Sequence, residues 1–192
     1  MKGAVPRRLF AMRTSAGALI LAPVVFAVSL GIFGLPGVIA PAKAAGACGA
    51  NGVLTSPETC TYTTVGEDTF SVPTDVTAVH VTLVGGKGGA GGGTFLGTHG
   101  GPGGFGAAVT ADIPVSAESL YVEVGGNGSG LTGGSTSGGA GGSATFALGA
   151  GGGAASDIRT VADAAGPTSL SSRLVVAAGG GGGGGGGVPY YG

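Results

Sequence analysis

The stretch of sequence that decides the fold runs from Val76 to Gly93 and reads VTAVHVTLVGGKGGAGGG. Its first half alternates, because one face of an extended strand would carry Val79, Val81 and Leu83 while the residues between them are polar. After Val84 the chain passes directly into glycine, without the serine-rich or charged transition typical of a flexible linker. These features predict a half-buried β-strand that ends in a glycine tract.

Apolar alternation recurs in several segments on both sides of this stretch. The predicted strands are Thr61–Val65, Phe70–Val72, Phe105–Ile113, Leu120–Val124, Phe146–Leu148 and Leu174–Ala178. Between the first two, Gly66–Asp68 predicts a turn. No segment after residue 44 repeats its apolar residues with the period of a helix. The sequence therefore predicts an all-β fold.

Glycine accounts for 47 of the 192 residues, far above its ordinary share. It is concentrated in four runs, which are Gly85–Gly106, Gly125–Gly142, Gly149–Gly153 and Gly179–Gly187. One interpretation is flexible linker; the other is ordered polyglycine II, a threefold extended helix whose amides bond neighbouring chains. Ordering one glycine costs about 1–2 kcal/mol, which only mutual hydrogen bonding among several tracts could offset. Because the tracts are several and poor in charge, we predict the ordered form.

The N-terminus has the three parts of a secretory signal. A basic leader that ends at Arg13 precedes an uncharged run over Thr14–Ala42, and the small-residue pattern Ala42-Lys43-Ala44 follows. We predict a signal peptide over residues 1–44, cleaved between Ala44 and Ala45, with the export route left open. An uncleaved membrane anchor is the alternative, and both place the rest of the chain outside the cytoplasm.

Beyond residue 44 the chain is acidic. All 9 Asp and Glu residues lie there, against only Lys87, Arg159 and Arg173 as bases. Such a surface has little with which to neutralise phosphate, so nucleic acid and anionic lipid are excluded as partners. A membrane contact is expected only if the signal segment stays uncleaved.

The two cysteines, Cys48 and Cys60, lie near the start of the exported segment. In an oxidising compartment this pair predicts one disulfide that closes a short loop. Turn-forming residues inside the loop, Asn51-Gly52 and Pro57, make the closure sterically feasible. The predicted organisation is a signal peptide at 1–44, a disulfide-closed segment at 45–60 and a glycine-rich β domain at 61–192.

The sequence segments between the glycine runs resemble those of a known family. They are CTYTTVGEDTFSVP from Cys60, VTAVHVTLVGGKGGAGGG from Val76, GGFGAAVTADIPV from Gly103, SLYVEVGGNGSG from Ser119, GGGAASDIRT from Gly151 and SRLVVAAGGGGGGG from Ser172. Over about Cys60 to Gly187, the chain resembles a bacterial glycine-rich protein family. That family shares its domain with the ectodomains of two receptors, anaplastic lymphoma kinase and leukocyte tyrosine kinase.

This resemblance implies a β-sandwich-like scaffold that carries a bundle of polyglycine II helices. In the receptors the domain takes part in recognising secreted protein ligands. Relatives continue past the point that corresponds to Gly187, so the resemblance implies an incomplete module or a sequence truncated at Gly192. Kinase activity does not follow, because the shared part is extracellular. The formal match Gly101-x-Gly103-x-x-Gly106 also lacks the partner lysine and the HRD and DFG sequences of kinases.

No catalytic, cofactor-binding or metal site is predicted from the sequence. Gly86-Lys87-Gly88 lacks the Ser or Thr of a phosphate loop, and the runs lack the aspartates of calcium-binding repeats. No G-x-S-x-G nucleophile motif accompanies His80 or His99. Asp112 and Glu123 lie on separate predicted strands and are candidates to pair, with exposed carboxylates as the simpler interpretation.

Three charged residues near the end of the chain are predicted to be structural. Asp157 and Arg159 are two residues apart, so they would share one face of a strand. Arg159 and Arg173 are expected to bind carboxylates or the carbonyl groups of the glycine tracts.

Two main functions fit these observations, and neither is enzymatic. The first is a secreted or cell-surface recognition or adhesion module that binds a protein or glycan through strand edges or the glycine face. The second is a structural role in an envelope or matrix layer. A secreted hydrolase is a third hypothesis, with no motif to support it.

Overall fold

A computed structural model describes residues 48–56, 58–94, 97–116, 119–143 and 147–187, and the backbone of residues 11–14. Its strands, numbered in chain order, form two antiparallel sheets, and helix is nearly absent from these residues. The predicted all-β fold is therefore confirmed.

The first sheet has five strands in the order β2-β3-β1-β5-β6. Their bounds are β1 Ala11–Thr14, β2 Val53–Ser56, β3 Thr59–Thr61, β5 Ala78–Val84 and β6 Ala108–Pro114. The β5–β6 pair is the longest, and its register runs without interruption from Ala78↔Pro114 to Val84↔Ala108.

The second sheet has four strands in the order β4-β7-β8-β9. Their bounds are β4 Gly66–Ser71, β7 Ser119–Val124, β8 Ser156–Arg159 and β9 Arg173–Ala177. Between β8 and β9 the chain makes a 3₁₀ turn at Asp163–Ala165 and a short helix, α1, at Pro167–Ser171. This helix was not predicted, because five residues are too few to display a helical period.

Both sheets contribute to one hydrophobic cluster. β5 supplies Val79, Val81 and Leu83, all fully buried as their alternation predicted, and β7 and β8 face them with Leu120, Val122, Val124 and Ile158. Burying a side chain of this size contributes roughly 1.5–3 kcal/mol. A core shared by two sheets supports the β-sandwich, which stays a prediction in its detailed geometry.

Strand β1 comes from within the predicted signal peptide. It lies between β3 and β5 and pairs antiparallel with both, with Met12 across from Cys60 on one side and Val81 on the other. Ala44 and Ala45 lie outside the described residues, so cleavage between them stays a prediction.

Several predicted boundaries were wrong. Gly66–Asp68 begins β4 instead of forming a turn, because Glu67 and Asp68 pair with Glu123 and Val122 of β7. The strand expected over Thr61–Val65 is limited to Thr61, the last residue of β3. No strand forms at Leu148, and Phe146 is outside the described residues. The strand expected from Phe105 begins only at Ala108.

A disulfide and a carboxylate fix the segment before β3 to the second sheet. Cys48 and Cys60 form the predicted disulfide. The Asp68 carboxylate on β4 accepts hydrogen bonds from the backbone amides of Ala50, Asn51 and Gly52 at 2.6–3.0 Å. Burial alone would raise the pKa of Asp68, but these amides and that of Thr69 hold it below its usual range.

We predict that Asp68→Asn lowers the free energy of unfolding by about 1.5–3 kcal/mol, because asparagine has no charge and keeps only one of the two oxygens that accept from these amides. Denaturant unfolding measures the change. Asp75→Asn is the matched control: Asp75 is exposed and has a positive φ of 71°, which asparagine tolerates. Equal stability of the two variants would contradict the anchoring role of Asp68.

Candidate functional site

The strand topology brings all the glycine tracts to one end of the two sheets. We call the residues at which a tract joins a strand the tract roots. Strands β5, β7 and β9 run into tracts at Gly85, Gly125 and Ala178. Strands β6 and β8 begin where tracts end, and they run antiparallel to those neighbours. We call the tracts 85–94, 98–107, 125–143, 147–155 and 178–187 the glycine bundle.

Ser156, the first residue of β8, joins the two sheets at this end. Its hydroxyl donates to the carbonyl of Val84 at 2.8 Å and accepts from the amide of Gly125 at 3.0 Å. Val84 is the last residue of β5 and Gly125 follows β7, so one buried hydroxyl links three tract roots.

Tract 85–94 lies at the centre of the bundle. The amides of Gly85, Gly88, Gly91 and Thr94 donate to carbonyls of tract 98–107, each at 2.9 Å. The amides of Gly86, Gly89 and Gly92 donate to tract 147–155, and the carbonyls of the same three glycines accept from tract 178–187. Hydrogen bonds therefore recur at every third residue, which is the repeat of polyproline II and polyglycine II.

The remaining tracts bond one another in the same manner. Tract 98–107 donates to tract 178–187 from Gly101, Gly104 and Ala107, each at 2.8 Å. Tract 147–155 donates to tract 178–187 from Ala150 and Gly153. The glycine runs are thus tied to one another by backbone hydrogen bonds rather than separated as linkers.

Close packing explains why most bundle positions lack a side chain. A Cβ on Gly182 would collide with the carbonyl oxygen of Ala150, whereas a Cβ on Gly181 would meet nothing within 4 Å. In the last tract the open positions are Gly181, Gly184 and Gly187, again spaced by three.

Between the terminal residues of tracts 85–94 and 98–107, side chains occur at every third position. They are Lys87 and Ala90 on tract 85–94 and His99, Pro102 and Phe105 on tract 98–107. We call these five residues the outward row. His99, Pro102 and Phe105 are exposed and recur about 9 Å apart at 3.1 Å per residue. This period of three is present in the sequence, and it was not predicted.

Phe105 is the largest apolar side chain of the outward row and is 76% exposed. The ammonium group of Lys87 lies 4.9 Å from the centre of its ring, within the range of a cation–π contact. An exposed aromatic face beside a cation can stack on a flat apolar group and bind an acceptor next to it.

A second polar cluster lies on the outer face of the four-stranded sheet, beneath the segment that contains α1. The guanidinium of Arg159 donates two hydrogen bonds to Asp157, at 2.7 and 2.9 Å, and others to Asp163 and Ser169. The Arg173 guanidinium forms an ion pair with Asp157 at 2.8 Å, although its Nε–H does not point at the oxygen. These five residues form the arginine cluster.

The structure brings Asp157, Arg159 and Arg173 together, with Asp157 as a carboxylate partner of both arginines, and their structural role stays a prediction. Asp157 and Arg159 share one face and are 0% and 1% exposed. The hydrogen bond to Asp157 raises the pKa of Arg159 despite its burial. All partners of the two arginines that the described residues supply are side-chain carboxylates or hydroxyls, not tract carbonyls.

Glu123 was predicted to be an exposed carboxylate or a partner of Asp112, and both interpretations were wrong. Asp112 lies in the other sheet, where it contacts His80 at 2.6 Å. Glu123 is 3% exposed and lies in register between Glu67 of β4 and Asp157 of β8. Burial, opposed by Arg159 and reinforced by the neighbouring carboxylates, raises the pKa of Glu123 to about 7.

The described residues contain no group of three or more His, Cys, Asp or Glu side chains arranged to hold a metal ion. Among the same residues, none of the helices has the length and apolar character that crossing a bilayer requires. His99 lies in the outward row, and no described contact joins it to His80.

We predict that Gly182→Ala destabilises the protein by about 1–3 kcal/mol or more, because the added methyl group displaces the tract that contains Ala150. Gly181→Ala, one residue away and open to solvent, should be neutral or stabilising by up to about 1 kcal/mol. Thermal or denaturant unfolding compares the two. Equal effects of these neighbouring substitutions would contradict the packing described.

We predict that stability falls as the pH rises from about 4.5 to about 7. The folded protein binds the Glu123 proton more tightly than the unfolded chain, whose carboxyl keeps its ordinary pKa of 4.5. The Glu123 proton therefore stabilises the fold fully at pH values below the unfolded pKa. This contribution, roughly 3 kcal/mol, is lost as the pH rises through the folded pKa.

Glu123→Gln, which mimics the neutral acid, should remove this pH dependence from the unfolding free energy. Glu58→Gln, at an exposed position, should keep it. If the unfolding free energy of Glu123→Gln still falls with pH as steeply as that of the wild type, another group causes the pH dependence.

Comparisons of the chain with protein-family models, curated proteins and solved structures found no match. The resemblance to the glycine-rich receptor domain therefore stays a prediction.

Proposed function

We propose that this chain is an exported, non-enzymatic recognition or adhesion module that presents the outward row on a scaffold of polyglycine II helices. The glycine bundle supplies the scaffold, and the two sheets hold it at one end. The partner is a protein or glycan at the cell surface.

The polyglycine II assignment is supported by the hydrogen-bond pattern of tract 85–94. Its amides are used in two series, each repeating at every third residue, toward two different neighbouring tracts. A threefold helix directs successive residues to three sides and so produces this repeat. The third series is Lys87, Ala90 and Gly93: the backbone of Lys87 bonds to Asn127 and Gly128 of tract 125–143, and Ala90 and Gly93 are exposed.

The observation that carries the proposed function is the outward row itself. Most bundle glycines have no space for a side chain, yet His99, Pro102 and Phe105 project at regular spacing from a tract fixed by its backbone. Large exposed side chains on a fixed backbone bind with little loss of conformational entropy. Aromatic rings are the groups that dominate protein interfaces and stack on sugar faces.

An extracellular location accords with the disulfide between Cys48 and Cys60, since such bonds persist in oxidising compartments. The acidic chain beyond residue 44 disfavours nucleic acid and anionic membranes as partners. Recognition is therefore assigned to shape, to the Phe105 ring with the Lys87 ammonium group beside it, and to backbone groups, rather than to an extended basic surface.

The test is capture of partners from surface extracts and on a glycan array by the protein recovered from the producing cells. We expect Phe105→Ala and Lys87→Ala each to weaken capture about tenfold, the usual scale for a central interface residue. Leu170→Ala is the matched control, since Leu170 is exposed on α1, outside the bundle.

Identical capture by the wild type and both outward-row variants would contradict recognition through this row. If the wild type captures nothing and fractionates with insoluble envelope material, the structural alternative is favoured.

A further inference from the structure

The central position of β1 has a consequence for the processed protein, and it rests on the proposed export and cleavage. Strand β1 pairs with β3 over Ala11–Arg13 and with β5 over Ala11–Thr14. Cleavage after Ala44 separates this strand from the domain. Two strand edges that were bonded to it, one on β3 and one on β5, are then left facing each other.

The width of the opening between these edges and the residues on its two sides follow from the strand pairing. Removing one strand from between two others leaves about 10 Å, twice the usual strand spacing of about 4.8 Å. The register places Cys60 on one side of the missing position 12 and Val81 on the other, and both are buried in the intact chain. We call this opening the strand slot.

The contacts of the β2–β3 hairpin oppose closure of the strand slot. Both other strands run antiparallel to β1, so β3 and β5 are parallel and would have to shift by a full strand spacing to pair directly. β3 is tied through Cys60 to Cys48, and the amides that follow Cys48 are bonded to Asp68 in the other sheet. The disulfide and the Asp68 hydrogen bonds thus hold the β2–β3 hairpin in place and oppose its movement toward β5.

We propose that the strand slot of the processed protein binds an extended segment of a partner polypeptide, which runs antiparallel to β3 and β5 and completes the sheet. Its backbone supplies amide and carbonyl groups to both edges, as β1 does in the intact chain. The segment carries an apolar residue at the position between Cys60 and Val81. The neighbouring positions, between Thr61 and Thr82 and between Thr59 and His80, adjoin polar strand residues.

The probe is a labelled peptide of residues 9–16, LFAMRTSA, which contains the strand seen in the slot. It is titrated into protein recovered from the medium, whose N-terminus is first determined by mass spectrometry. We expect saturable binding and slower amide exchange across Ala78–Val84. The peptide with Met12→Pro should bind at least tenfold more weakly, because proline removes a backbone donor and does not fit a central strand.

The unprocessed chain is the matched control. A variant with Ala44→Leu, which blocks the small-residue cleavage site, keeps its own β1 and should not bind the peptide. Equal binding by processed and unprocessed protein, or equal binding of both peptides, would overturn the slot.

Two further outcomes separate this inference from the proposed function. A processed protein that binds neither peptide overturns the strand slot but leaves recognition by the outward row to the Phe105→Ala experiment. A secreted protein that still begins at Met1 overturns both the cleavage and the slot. A processed dimer that protects Ala78–Val84 from exchange without added peptide also overturns the proposal, since the occupant is then a second copy.

Discussion

The glycine bundle is held together by backbone hydrogen bonds between tracts that carry few side chains. Hydrophobic burial cannot order these tracts, because they have almost no apolar side chains to bury. Each amide bond contributes only about 0.5–1.5 kcal/mol net, and each ordered glycine costs as much or more. The bundle is therefore stable only as a set, with tract 85–94 bonded to four neighbouring tracts at once.

The two sheets make that set possible. Their antiparallel topology delivers every tract root to the same end, and Ser156 ties β5, β7 and β8 together there. Apolar burial in the core of the two sheets thus offsets much of the conformational entropy that is lost when the tracts are brought side by side. On the outer face, the arginine cluster and Glu123 provide a buried polar layer under α1, whose charges balance only when Glu123 is neutral.

Alternation along a strand and the chemistry of cysteine were sufficient to predict the β fold, the core face of Val79–Leu83 and the disulfide. The start of β4 could not be predicted locally, because Gly66–Asp68 has the composition of a turn and becomes a strand through pairing with β7. The burial of Glu123 depends on a covering segment from elsewhere in the chain. The outward row was readable as a glycine-glycine-x period, since His99, Pro102 and Phe105 are spaced by three.

The most direct test of the bundle is residue-resolved hydrogen exchange along tract 85–94 of the folded protein. The bonded amides of Gly88, Gly89, Gly91 and Gly92 should exchange far more slowly than an unfolded chain, and the amide of Ala90, which faces outward, should exchange quickly. This slow-slow-fast repeat is the expected result. Uniform exchange of all five amides at the unfolded rate would contradict the account.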